Sequence, residues 1–198
     1  FGLEPMSTRP RHPDTELIHN GTLRSAFGET SEAMFLTQGF VYETAEAAEA
    51  RFSGEDPGFI YSRFSNPTVA MFEARMAQLE GAEAARATAS GMAAVTAALV
   101  CQLKAGDHVV SARALFGSCL WVVADFLPKF GVETTLVDGT DLDAWRQAVR
   151  PNTKVFFLES PTNPNLEVID IAAVAEIAHQ AGARLVVDNV FATPLYQK

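Results

Sequence analysis

The chain has 198 residues, 48% hydrophobic and 20% charged, an ordinary globular balance with enough length for one sizeable core. Its net charge of −9 is spread along the sequence, leaving no basic stripe to neutralise a nucleic-acid backbone. No apolar run approaches the roughly 18 residues that cross a bilayer, and the opening FGLEPMSTRPRHPDTE lacks the apolar centre of a signal peptide, so the expectation is a cytoplasmic protein.

Residues 1–60 are rich in Pro, Gly, Thr and Glu, with only a short helical patch from Thr44 to Phe52. They read as an extended N-terminal arm and linker, of the kind that packs on a partner subunit. From Val69 to Glu80 the residues Val69, Phe72, Met76 and Leu79 recur at helical spacing behind the start signal Asn66-Pro67-Thr68. Ser90-Gly91 then opens an alanine-rich apolar helix, expected to be buried and to end at Ala105-Gly106.

Beyond this point short β-branched runs alternate with helical patterns. Strands are expected at His108 to Ser111, Glu133 to Val137, Lys154 to Glu159 and Arg184 to Asp188, with helices near Phe116 to Phe130, Leu142 to Val149 and Ile171 to Ala181. The runs VFFLE and RLVVD are almost continuously apolar, as in parallel strands covered on both faces by helices. The fold class that follows is α/β, with a parallel-rich, doubly wound sheet. Cys101 and Cys119 form no CxxC and no Cys/His cluster, which argues for structural thiols and against a metal site or a disulfide framework.

In open parallel sheets ligands bind beyond the carboxyl ends of the strands, and three places there carry polar residues. Ser90-Gly91-Met92 is a small-residue turn into a helix, either a plain cap or a set of N–H groups suited to a phosphate. Asp188, with Asn189, leaves a buried strand, where a carboxylate needs a cation such as a protonated ring nitrogen, an arginine, or a turn to cap. Ser160-Pro161-Thr162-Asn163-Pro164-Asn165 is either a simple turn or a stiffened loop that projects the Asn163 amide. Outside the sheet lies Tyr61-Ser62-Arg63; if extended, it brings a phenol and a guanidinium to one side, where they can grip a phosphate or a carboxylate. The bland reading of that pair is a surface tyrosine and a solvated arginine.

Taken in order, YSRFSNPT, ASGMAA, ESPTNPN and VVDNVFATP resemble the pyridoxal-phosphate enzymes of cysteine and methionine metabolism. The resemblance implies the fold type I large domain, with residues 61–198 forming the N-terminal part of the pyridoxal-phosphate-binding domain. It implies that Ser90, Gly91 and Met92 meet the cofactor phosphate, that Tyr61 and Arg63 reach the same phosphate from a neighbouring subunit, and that the assembly is a homotetramer built of two dimers. It also implies that Asp188 pairs with the pyridinium nitrogen and that Asn163 bonds the ring hydroxyl. The aromatic residue on the ring, usually a tyrosine, is here Phe116, which keeps the flat face and loses the hydroxyl. Tyr61 and Asp188 are the candidate catalytic side chains, and the family's Schiff-base lysine is expected beyond Lys198. None of Lys104, Lys129, Lys154 or Lys198 is placed to replace it.

Within the family the stretch LIHNGTLRSAFGETSEAMFLTQGFVYETAEAAEARFSGEDPGFIYSRFSNPT resembles the sulfhydrylase branch, which makes L-homocysteine from O-succinyl-L-homoserine and sulfide. That implies a γ-replacement in which protons leave Cα and Cβ, succinate departs from Cγ and sulfide adds. The alternatives are cystathionine γ-synthase, with cysteine as acceptor, methionine γ-lyase, and a non-catalytic module that binds pyridoxal phosphate. An unrelated nucleotide-binding domain is disfavoured because neither GxGxxG after a strand nor a P-loop motif occurs.

Overall fold

The computed structural model describes residues 12–198; the reading of the first eleven residues, including the opening of the arm, lies outside them. The chain divides into two compact units, Phe1–Ala87 and Thr88–Lys198.

Among its described residues the first unit holds three helices, α1 (Pro13–His19), α2 (Ala45–Ser53) and α3 (Pro67–Glu80). The last two sit where the apolar spacing puts them. At α2 the Thr44 hydroxyl accepts the Ala47 N–H, and at α3 the Asn66 side chain accepts the Thr68 N–H ahead of Pro67, so each start is capped by its own sequence. Helix α1 lies in the stretch expected to be extended; Pro13 at its start, Asp14 and Glu16 in its first turn and His19 in its last favour a short helix. Arg75 of α3 holds the segment after α1, donating to the Asn20 and Ile18 carbonyls and to Thr22 Oγ1. Gly21 must be glycine there: its φ is +69° and a Cβ would lie 2.7 Å from that of Ala74.

The second unit contains α4 (Gly91–Val100), β1 (His108–Ala112), α5 (Gly117–Trp121), β2 (Glu133–Val137), α6 (Leu142–Gln147), β3 (Thr153–Glu159), α7 (Ile171–Gln180), β4 (Arg184–Asp188) and α8 (Thr193–Tyr196). Its four strands form one sheet in the order β2-β1-β3-β4, every pair parallel. The order reverses between β1 and β3, so the loops after these two strands diverge and leave a crevice at their carboxyl ends. One face of the sheet is covered by α6 and α7 around Trp145, Phe156, Leu158, Val174 and Ala178. The other is covered by α4, α5 and the turns that follow, around Leu99, Val109, Cys119, Val123, Leu127 and Phe157. Helices on both faces make the sheet doubly wound, and each large side chain buried there contributes about 1.5–3 kcal/mol through the water it leaves.

Two helices depart from expectation. Helix α4 ends at Val100 rather than at Ala105, because the chain tightens into Gln102 N–H to Leu99 and Leu103 N–H to Val100 carbonyl bonds. It is also not buried throughout. Met92, Val95 and Leu99 pack on the sheet, and Leu99 alone is fully enclosed. The helix from Phe116 to Phe130 is composite: α5 passes into a π-turn over Val122–Phe126 and a 3₁₀ turn over Leu127–Phe130. Pro128 has no N–H to continue the α-helical ladder, so hydrogen bonding widens before it and tightens around it.

At the amino ends of the strands His108 is fully buried, its two ring nitrogens 2.8 Å from Thr153 Oγ1 and 2.9 Å from Thr135 Oγ1. One hydroxyl accepts and the other donates only to a neutral ring, and burial, with Arg150 nearby, holds the imidazole below its usual pKa against the opposing pull of Glu133.

Candidate cofactor site

At the carboxyl ends of the strands a cavity of about 520 Å³ is lined by Ser90, Gly91 and Met92 from the start of α4, Phe116 and Cys119 beside β1, Phe157 of β3, and Val186 to Val190 around the end of β4. Its size and apolar walls suit a small aromatic ligand. Five of the eight residues expected to hold the cofactor therefore meet in one place: Ser90, Gly91, Met92, Phe116 and Asp188.

Ser90 is the N-cap of α4, its Oγ accepting the Ala93 N–H at 3.1 Å. Cap and anion site are thus compatible, because the Gly91 and Met92 N–H groups precede the first intrahelical bond. A Cβ on Gly91 would meet no protein atom within 4 Å, so the space over these donors is open to an anion.

Asp188 caps a turn, as one alternative had it: Oδ1 accepts the Val190 N–H at 3.1 Å. Oδ2 faces the Cys119 thiol at 3.9 Å. Among the described residues no lysine or arginine forms an ion pair with Asp188, so a cation in the cavity would have this carboxylate to itself. Cys119, 1% exposed and also 3.8 Å from Met92 Sδ, was legible in the sequence only as a structural thiol. Burial and the Asp188 and Glu159 charges push its pKa up to about 12, which keeps it a neutral S–H donor to the carboxylate.

Asn163 does not line the cavity. It sits in the loop 160–165, which contains cis peptide bonds at Ser160-Pro161 and Asn163-Pro164, and its N–H donates to Glu159 Oε1 at 3.1 Å. Glu159 is a residue the sequence reading passed over. Its other oxygen accepts the Phe116 N–H at 2.6 Å, and the side chain is 1% exposed. Desolvation pushes its carboxyl pKa up, with Asp188 adding to the rise, while the two N–H donors oppose it. The available signal was a charged residue ending an apolar strand, as Asp188 does.

Tyr61 and Arg63 belong to the first unit. The segment is not extended: Tyr61 forms a bridge with Gly39, and its carbonyl accepts the Phe64 N–H at 2.8 Å, closing a turn. The turn still gathers the pair, with the Arg63 guanidinium 5.5 Å from the Tyr61 ring centre and 4.7 Å from that of Phe64. The Tyr61 hydroxyl accepts from Gln38 Nε2 at 2.7 Å. Lys154 lies exposed near the start of β3, and Lys129 rests over the Trp121 ring. Among the described residues no group of acidic, His or Cys side chains could hold a metal, and no helix is long and apolar enough to cross a membrane.

Comparison with known proteins bears on this arrangement. The chain is 54% identical over 181 residues to O-succinylhomoserine sulfhydrylase of Mycobacterium tuberculosis (strain CDC 1551 / Oshkosh), covering 91% of this chain and 45% of that protein. It is 41% identical over 194 residues to L-methionine gamma-lyase of Fusobacterium nucleatum subsp. polymorphum, covering 98% and 49%. Among solved structures, a putative O-acetylhomoserine (thiol)-lyase from Campylobacter jejuni, carrying N'-pyridoxyl-lysine-5'-monophosphate, superposes with a TM-score of 0.89 at 31% identity, over 94% of this chain and 46% of that one. The chain thus spans about half the length of the curated relatives it matches. The family model for Cys/Met metabolism PLP-dependent enzymes matches residues 14–198, which include all of the cavity, and the chain belongs to that family.

Proposed function

We propose that the protein uses pyridoxal phosphate to replace the succinyloxy group of O-succinyl-L-homoserine with sulfide, releasing succinate and yielding L-homocysteine. The observation that carries this reading is the single cavity in which the open start of α4 and the Asp188 carboxylate both take part, together with the 54% identity to a sulfhydrylase. When bound, pyridoxal phosphate supplies an electron sink for charge developing on substrate carbons.

The chain's own residues hold and tune that group. The Gly91 and Met92 N–H groups bind the phosphate at the head of α4, with Ser90 fixing the turn. Asp188 keeps a proton on the ring nitrogen, and the Cys119 S–H steadies its second oxygen. Phe116 offers its ring face and excludes water, and Asn163 donates to the ring hydroxyl. Tyr61 and Arg63, supplied by a neighbouring subunit, complete the phosphate site, with residues 1–60 acting as an arm and linker between subunits of a homotetramer in the cytoplasm. The lysine that carries the cofactor lies beyond Lys198.

A second reading, elimination without replacement, is favoured by the relationship to an L-methionine gamma-lyase. Borohydride reduction of the natural gene product, followed by intact and peptide mass measurement, tests the core of the proposal: a pyridoxyl-phosphate adduct on a lysine beyond Lys198 supports it. Absence of any adduct in protein mixed with the cofactor overturns it in favour of a non-catalytic module. Assays with sulfide, with cysteine or with no thiol then separate sulfhydrylase, cystathionine γ-synthase and γ-lyase.

A further inference from the structure

Glu159 does something that neither its strand nor the core requires. It closes β3, where an apolar side chain would be buried at less cost than a carboxylate. Its two oxygens diverge to two different loops, Oε2 to the Phe116 N–H at 2.6 Å and Oε1 to the Asn163 N–H at 3.1 Å. Those loops leave β1 and β3 on either side of the point where the strand order reverses, and neither has regular secondary structure from 113 to 116 or from 160 to 165. Among the described residues this carboxylate is the hydrogen-bonded link between them. Two bonds from one buried, two-pronged acceptor fix the separation of the loops more tightly than packing of half-exposed residues can. Phe116 needs such help: it is 44% exposed and caps α5 without a side-chain hydrogen bond.

We propose that Glu159 is a positioning residue that sets the slot for the cofactor ring by tying the Phe116 loop to the Asn163 loop through their backbone N–H groups. The inference rests on the pyridoxal-phosphate reading above. Glu159 does not line the cavity; it acts through Phe116, which does, and through the loop that carries Asn163. Glutamine at this position presents one acceptor and one NH2, so one of the two N–H groups must lose its partner.

The test compares the intact protein with its Glu159→Gln and Trp145→Phe variants. Trp145 lies in the core on the other face of the sheet, so its variant controls for destabilisation alone. Without cofactor, amide exchange at Phe116 or Asn163 is expected to quicken about tenfold or more in Glu159→Gln and to stay unchanged in Trp145→Phe. With pyridoxal phosphate added, Glu159→Gln is expected to bind about tenfold more weakly and to show altered circular dichroism in the cofactor's absorption band, which reports ring orientation. Trp145→Phe is expected to keep both. If Glu159→Gln matches the unsubstituted protein in exchange, affinity and dichroism, the positioning role is overturned while the function stands. If the unsubstituted protein gives no cofactor signal at all, the function and the inference fall together.

Discussion

Glu159 and Asp188 are register partners at the carboxyl ends of β3 and β4, two carboxylates side by side on adjacent parallel strands with divided duties. The longer side chain turns back into the protein and ties two loops. The shorter one lines the cavity, one oxygen capping the Val190 N–H and the other beside a thiol that stays protonated.

That division makes Asp188 the position where charge matters most. Asp188→Ala should lower kcat on the order of 100-fold or more while changing substrate KM far less, since the lost interaction strengthens as negative charge develops during reaction. Steady-state kinetics on purified variants decides it, and turnover like that of the unsubstituted protein would remove Asp188 from the mechanism.

The two cysteines should differ sharply toward alkylation. Cys101 is exposed, whereas Cys119 is buried with its thiol pushed up to about 12, so at pH 8 Cys119 carries almost no thiolate. Peptide mapping after iodoacetamide treatment should find Cys101 modified at least about a thousandfold faster, with Cys119 reacting only after denaturation.

His108 gives stability a sign with pH. Its folded pKa lies below the ordinary value of 6.5, so the unfolded chain binds the extra proton and acidification favours unfolding. The contribution of the neutral ring between Thr135 and Thr153 is present above about 6.5 and is lost as pH falls through the folded value. Urea midpoints measured from pH 8 to pH 5 should fall across that window, and a His108→Gln variant should show a shallower slope there.

Trp145 is fully buried, stacked on Phe156 at 5.6 Å between ring centres, and its indole N–H donates to the Gly139 carbonyl at 2.9 Å. Trp145→Ala should cost about 3–5 kcal/mol. Trp145→Phe should cost about 1–3 kcal/mol, keeping much of the packing but leaving that carbonyl without its donor. Denaturant titration of both variants checks the order.

The sequence by itself determined the alternation of elements, because apolar spacing and caps act within a few residues; it did not fix the buried face of α3, where Met71 is enclosed while Val69 and Phe72 are exposed. Strands β2 and β4 fall at their expected limits, and Ser90, Asn66 and Thr44 cap the helices they precede. It also marked Gly91 and Asp188, since small residues at helix starts and charged residues just past apolar strands are conspicuous locally, whereas Phe116 was marked only by the family resemblance. Only the tertiary structure decided what depends on neighbours distant in the chain. The strand order brings Glu159 beside Asp188 and within reach of Phe116, 43 positions earlier. It also sets Cys119 against a carboxylate 69 positions later. No local pattern encodes either meeting, because hydrogen bonds between loops are fixed by sheet register and crossover packing, not by the spacing of residues along one segment.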